Sequence, residues 1–188
     1  ALSINREMRA TQKNQKPFTL WFTGLPASGK TTVADLVEKK LFSLGKHSTV
    51  LDGDNLRTGL NSDLGFSDSD RAENVRRTAE VAKLMNDAGL ISLVSLVSPI
   101  ENDRKNAAEI IGDGFILVYL KASAEICKSR DKKGYYEKAS SGVIKNFTGV
   151  SSGYESPENP DLVLDVETLS AKDCCNAVIS YLKTNNLI

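Results

Sequence analysis

Residues 24–31 read Gly-Leu-Pro-Ala-Ser-Gly-Lys-Thr and match the pattern G-x-x-x-x-G-K-[ST]. These residue types at this spacing bind the phosphates of a nucleoside triphosphate. Gly24 and Gly29 permit backbone angles that other residues resist. The intervening Leu25, Pro26, Ala27 and Ser28 can then form a loop whose N–H groups point inward at phosphate oxygens. Lys30 supplies a point charge for the β- and γ-phosphates, and the Thr31 hydroxyl is placed to ligate Mg²⁺, with Thr32 following. The helix expected to start here adds its N-terminal dipole. The donor side is therefore ATP-like, with Mg²⁺ as cofactor. No N-K-x-D guanine motif follows, which argues against a GTPase. Small domains with this loop and no motor elements are more often small-molecule kinases.

A second charged cluster begins at "LDGDNLRTGLNSDLGF", residues 51–66. Asp52 and Asp54 are the acidic residues at a strand end. Asp54 could ligate Mg²⁺ and accept a proton from an attacking hydroxyl. It could equally be the N-cap of a short helix starting at Asn55. Beyond it lie Arg57, Phe66, Arg71 and Asn74. Two arginines suit an anionic acceptor, and a loop phenylalanine suits a stacked ring. Phe66 in the core and Arg71 on a solvated helix face is the competing reading.

Apolar spacing predicts the elements that must position these groups. Residues 18–22, 47–52, 91–97, 115–120 and 162–166 read as buried strands. Residues 29–44, 68–88, 102–111, 123–130 and 170–184 have helical spacing. This alternation predicts an α/β fold: a parallel five-stranded sheet of the P-loop NTPase type, covered by helices on both faces. Ligands in such sheets bind beyond the carboxyl ends of the strands, where both clusters fall.

The length of 188 residues fits a polar N-terminal arm, 1–15, and a single domain, 16–188. The arm is expected to be mobile or to dock a partner. Acidic and basic residues balance at 24 each, so charge gives no reason to expect a nucleic acid partner. The longest apolar run, 90–100, is interrupted by serines and too short to cross a bilayer, so no membrane partner is expected. Residues 1–17 lack the pattern of a secretory signal. Cys127, Cys174 and Cys175 form neither a disulfide framework nor a metal-ligand spacing. They read as buried thiols in a reducing compartment, so the cytoplasm is the expected location, with an organellar matrix as the alternative.

Taken together, "WFTGLPASGKTT", "LDGDNLRTGLNSDLGFSDSDRAENVRR", "AEVAKLMNDAGLI", "SLVSP", "CKSRDKKGYYEKA" and "IKNFTGVSSGYESPENPDLVLD" resemble the adenylylsulfate kinase (APS kinase) family, in order and spacing, from Lys16 to Val166. The resemblance implies phosphorylation of the 3′-hydroxyl of adenosine 5′-phosphosulfate (APS) by ATP, giving PAPS and ADP. It implies that Asp54 lies near Mg²⁺ and the 3′-hydroxyl. Arg57, Arg71 and Asn74 would hold the phosphosulfate and sugar, and Phe66 and Phe147 would clamp the adenine. Lys145 would reach the acceptor or the transferred phosphate, and Arg130 would frame the donor adenine. Ser98, Pro99 and Ile100 match the acceptor loop, and Ser98 matches a serine known in the family as a phosphoserine. Direct in-line transfer needs no such intermediate. Residues 132–155 match a mobile lid. A homodimer, and coupling or fusion to ATP sulfurylase, also follow from the resemblance. Ile100 replaces an aromatic residue usual in the family, Leu96 a phenylalanine, Ser140 a lid arginine and Ser151 an acidic group. Two alternatives stay open: a kinase-like module that senses APS or PAPS without turnover, and a related kinase with another nucleotide anhydride as acceptor.

Overall fold

The computed structural model describes residues 1–150 and 152–188, and the acidic group lost at Ser151 lies outside them. In chain order the elements are α1 (Arg6–Gln12), β1 (Thr19–Thr23), α2 (Lys30–Ser43), β2 (Ser48–Asp52), α3 (Gly53–Leu56), α4 (Asp68–Asp87), β3 (Ile91–Ser95), α5 (Glu101–Ile111), β4 (Phe115–Lys121), α6 (Ala124–Arg130), α7 (Tyr135–Ser140), β5 (Leu162–Asp165) and α8 (Ala171–Thr184). The strands form one sheet in the order β2-β3-β1-β4-β5, parallel throughout. All carboxyl ends therefore meet on one rim.

Successive side chains of a strand point to opposite faces, and β1 shows the consequence. Leu20 and Phe22 pack with Val33, Val37 and Leu41 of α2 and with Val178 and Leu182 of α8. Trp21 packs on the other side with Val75 and Ala79 of α4 and Ala107 and Ile111 of α5. Burial on both faces accounts for the continuous apolar runs read as strands. Each fully buried aliphatic or aromatic side chain contributes roughly 1.5–3 kcal/mol.

Three parts of the expectation change. The N-terminal segment is a helix docked on the domain's own surface. Asn5 caps it, accepting from the Met8 N–H at 2.9 Å. Arg9 donates to the Asp87 carbonyl at 3.0 Å, and Arg6 to the Asp113 carbonyl at 3.2 Å. Gln15 is buried and its amide donates to the carbonyls of His47 and Gly89, while the His47 N–H donates to it. This docking uses polar groups on main-chain carbonyls, so it leaves no apolar periodicity in the sequence. Second, β3 ends at Ser95 rather than Val97, because the chain turns off the sheet there and Ser98 takes a left-handed φ of 40°. Third, the lid region contains the short helix α7, starting after Gly134.

Candidate active site

The phosphate loop joins β1 to α2 on the carboxyl rim. A side chain at Gly24 would lie 2.8 Å from Ser28 Oγ and 2.9 Å from the Leu120 carbonyl, so only glycine fits. Gly29 has a φ of 96° and precedes α2 without any side-chain cap. The first N–H groups of that helix are thus left for an incoming anion. Lys30 is buried, and its Nζ donates to the carbonyls of Gly24 at 3.1 Å and Leu25 at 3.0 Å. Burial lowers its pKa from 10.5 to about 8, against a smaller upward pull from neighbours that include Asp54 and Asp52. A phosphate taking over those two bonds would restore the charged form. Thr32, in the first turn of α2, is exposed.

Thr31 offers an oxygen that could hold a hard cation. Its hydroxyl donates to Asp52 Oδ1 at 2.8 Å and lies 3.0 Å from Ser95 Oγ. These are oxygen donors from three strand or helix ends, the chemistry Mg²⁺ requires. Among the described residues no group of three or more His, Cys, Asp or Glu could hold a metal ion by itself.

Asp54 and Asp52 occupy different places. Asp52, not Asp54, caps α3, accepting from the Asn55 N–H at 3.3 Å. The N-cap reading of Asp54 therefore falls. The carboxylate beside Thr31 is also Asp52. Asp54 instead forms an ion pair with Lys133 from the lid region, which raises the Lys133 pKa mainly through that hydrogen bond. Lys133 carries no local signal in the sequence, because the chemistry appears only when the lid folds back onto a residue 79 positions away.

The second charged cluster assembles around two guanidinium groups. Arg57 donates to the Gly65 carbonyl at 3.0 Å, and its guanidinium lies 4.2 Å from the centre of the Phe66 ring. Burial lowers the Arg57 pKa first, and the charge of nearby Arg71 lowers it further. Two like charges held this close favour an anion between them. Arg71 is buried and bridges two distant segments. It donates to the Phe66 carbonyl at 3.0 Å, to Thr148 Oγ1 at 3.1 Å and to the Asn146 carbonyl. The Phe66 carbonyl and the two residues flanking Phe147, one through its carbonyl and one through its hydroxyl, therefore share one anchor. The ring of Phe66 is about half exposed. That of Phe147 packs edge-on against Tyr136 at 5.0 Å and Tyr135 at 6.3 Å. Asn74 is buried and accepts from Asn61 Nδ2 at 2.9 Å, and fully buried Asn61 is a further residue the sequence did not announce.

Other expected residues are placed less centrally. Ser98 is 4% exposed, accepts from Trp21 Nε1 at 3.1 Å and donates toward Thr23 Oγ1 at 3.1 Å. Its hydroxyl is held among buried partners of β1 and its own loop. Pro99 is buried and Ile100 partly so. Arg130, at the end of α6, donates to the Val166 carbonyl at 2.6 Å. Lys145 is exposed between α7 and Phe147.

The family model described as adenylylsulphate kinase matches residues 16–165. The chain is 48% identical over 185 residues to an adenylyl-sulfate kinase of Clostridium acetobutylicum, covering 98% of this chain and 92% of that enzyme. It is 51% identical to the bifunctional enzyme NodQ of Rhizobium meliloti, spanning 97% of this chain but only 28% of NodQ. The solved APS kinase CysC of Mycobacterium tuberculosis, in complex with AMPPNP and APS, superposes with a TM-score of 0.86 at 46% identity, over 90% of this chain and 99% of that one. A gluconokinase of Sinorhizobium meliloti, at 16% identity and a TM-score of 0.61, shares the fold alone. With this much of its length matched, the chain belongs to the adenylylsulfate kinase family.

Proposed function

We propose that this chain transfers the γ-phosphoryl group of ATP to the 3′-hydroxyl of APS, giving ADP and PAPS. The observation that carries the reading is the Arg71 bridge, which joins the two phenylalanine-bearing segments beside an intact phosphate loop. In this reading the loop and Lys30 hold the triphosphate, and Arg130 frames the donor base. Mg²⁺ would be held by Thr31 with Asp52 and Asp54 near it, and it would neutralise charge on the β- and γ-phosphates. Arg57, Arg71 and Asn74 bind the phosphosulfate and sugar. Phe66 and Phe147 close on the adenine, which requires the Phe66 ring to exchange its contact with Arg57 for the base.

Asp54 accepts the proton of the 3′-hydroxyl as the oxygen attacks in line. Its partner Lys133 arrives with the lid and brings positive charge to the same point, and Lys145 sits on the opposite limb of that lid. Closure would exclude water that could otherwise take the phosphoryl group. The burial of the Ser98 hydroxyl supports direct transfer without a phosphoserine. The family's homodimer is carried forward as the proposed assembly, and a functional link to ATP sulfurylase as its proposed context. No helix among the described residues is long and apolar enough to cross a membrane. A cytoplasmic location is part of this proposal.

The test uses ATP labelled in the γ-phosphate with APS as acceptor. The label should appear in a product from which a 3′-nucleotidase releases it. Label released only as inorganic phosphate would contradict the assignment.

A further inference from the structure

Arg104 on α5 is 1% exposed, and none of the donor or acceptor roles above falls to it. Its guanidinium donates through Nη1 to the Ser98 carbonyl at 2.6 Å. Through Nη2 it donates to the Glu155 carbonyl at 2.5 Å and pairs with the Glu101 carboxylate. Its face lies 5.6 Å from the ring centre of Tyr154. The two loops it joins are also stitched directly. The Glu155 N–H donates to the Pro99 carbonyl at 2.8 Å, and the Glu101 N–H donates to Glu155 Oε2 at 2.7 Å.

Tyr154 extends the connection to the donor side. Its hydroxyl lies 2.9 Å from Thr23 Oγ1, and its ring stacks on Tyr119 at 6.1 Å. Thr23 ends β1 immediately before Gly24, and its hydroxyl also reaches the Val97 carbonyl at 2.7 Å. One buried cation therefore links the downstream end of the lid region, the Ser98–Pro99–Ile100 loop and the entrance to the phosphate loop. The loop it holds contains Ser98 with its left-handed backbone, a conformation that persists only when its surroundings enforce it. A lysine would supply the charge but not a planar fork with donors at fixed angles.

We propose that Arg104, acting through Tyr154, is a positioning residue that keeps the acceptor loop and the phosphate loop in one register where the lid rejoins the domain. It touches neither substrate. Its removal should therefore impair the acceptor more than the donor, since the acceptor loop receives its direct bonds.

The test uses the full chain with Arg104→Lys and Tyr154→Phe, the second keeping the ring and losing only the hydroxyl. APS and Mg-ATP are varied in turn, and amide exchange of residues 96–100 is followed in the absence of substrate. Arg104→Lys should raise the KM for APS about tenfold, the effect of losing one hydrogen bond in a buried network, with the KM for ATP within about twofold, whereas Tyr154→Phe, which keeps the Arg104 bonds and loses only the contact to Thr23, should raise the KM for APS by less than Arg104→Lys does. Exchange across 96–100 should quicken in both. The proposal rests on the acceptor reading, and the two readouts separate them. Faster exchange with no APS turnover even in the wild type would fault the acceptor reading and keep the clasp. Unchanged exchange, or KM values for APS and ATP that rise together as the thermal midpoint falls, would overturn the clasp and leave Arg104 a residue of general stability.

Discussion

Raising the pH above about 8 should weaken the grip on ATP. Lys30 carries the argument. Burial lowers its pKa from 10.5 to about 8, so the empty site loses the lysine charge in mildly alkaline solution. About nine-tenths of the sites are charged at pH 7 and about one-tenth at pH 9, a consequence of one pKa unit on either side of the midpoint. Because kcat/KM reports groups of the free enzyme, kcat/KM for ATP at saturating acceptor should fall about tenfold per pH unit above roughly pH 8. The kcat itself should hold to higher pH, since bound phosphate restores the charge. Stability moves the other way. Between pH 8 and 10.5 the unfolded chain binds the proton more tightly than the folded one, so folding gains from this group as pH rises. The drop in pKa corresponds to about 3 kcal/mol across that window. The assay is a pH profile of initial rates with ATP varied, alongside thermal midpoints at the same pH values. A kcat/KM for ATP that stays level to pH 10 in a folded enzyme would refute the reasoning.

Further predictions concern single side chains. Asp54→Asn should cut kcat by more than about a hundredfold, with ATP affinity within about threefold, as judged by rates and equilibrium binding; matched losses in both would argue against a proton acceptor. Phe66→Ala and Phe147→Ala should each weaken APS binding by about 1–2 kcal/mol, the scale of base–aromatic stacking, and calorimetry with APS will show whether the constant moves. Ser98→Ala should keep kcat within about tenfold while lowering the thermal midpoint, because it deletes buried hydrogen bonds worth about 1 kcal/mol each. Loss of all turnover in folded Ser98→Ala enzyme would revive a covalent intermediate. Gly24→Ala should abolish ATP binding, since the added methyl meets the Leu120 carbonyl at 2.9 Å, and retained binding would show that the loop can shift.

The phosphate loop was legible in the sequence because its chemistry lies in main-chain geometry that glycine spacing alone encodes. The central strands β1 and β3 were legible because both of their faces are buried, which favours apolar residues at successive positions. The division of labour between Asp52 and Asp54 was not. Two carboxylates separated by one glycine look alike until the chain turns after β2 and aims one at Thr31, the other at Lys133. Arg71 was expected to bind an anion, and its second task, tying residues 146 and 148 to Phe66, depends on contacts 75 and 77 positions apart. Arg104, Tyr154, Gln15 and Asn61 carry no local signal, since each acts through a carbonyl or side chain distant in sequence. The N-terminal helix escaped for a related reason: it docks through arginines, not through an apolar stripe.

The central claim is that one rim holds two nucleotides, with ATP on the phosphate loop and APS beside Arg57 and Arg71. The most direct measurement is ADP release by the purified chain at fixed Mg-ATP with APS varied, against AMP and ADP as control acceptors. The account predicts saturable release that depends on APS, with one PAPS formed for each ADP and little response to the controls. Normal ATP binding with no acceleration by APS, or equal acceleration by AMP, would contradict it.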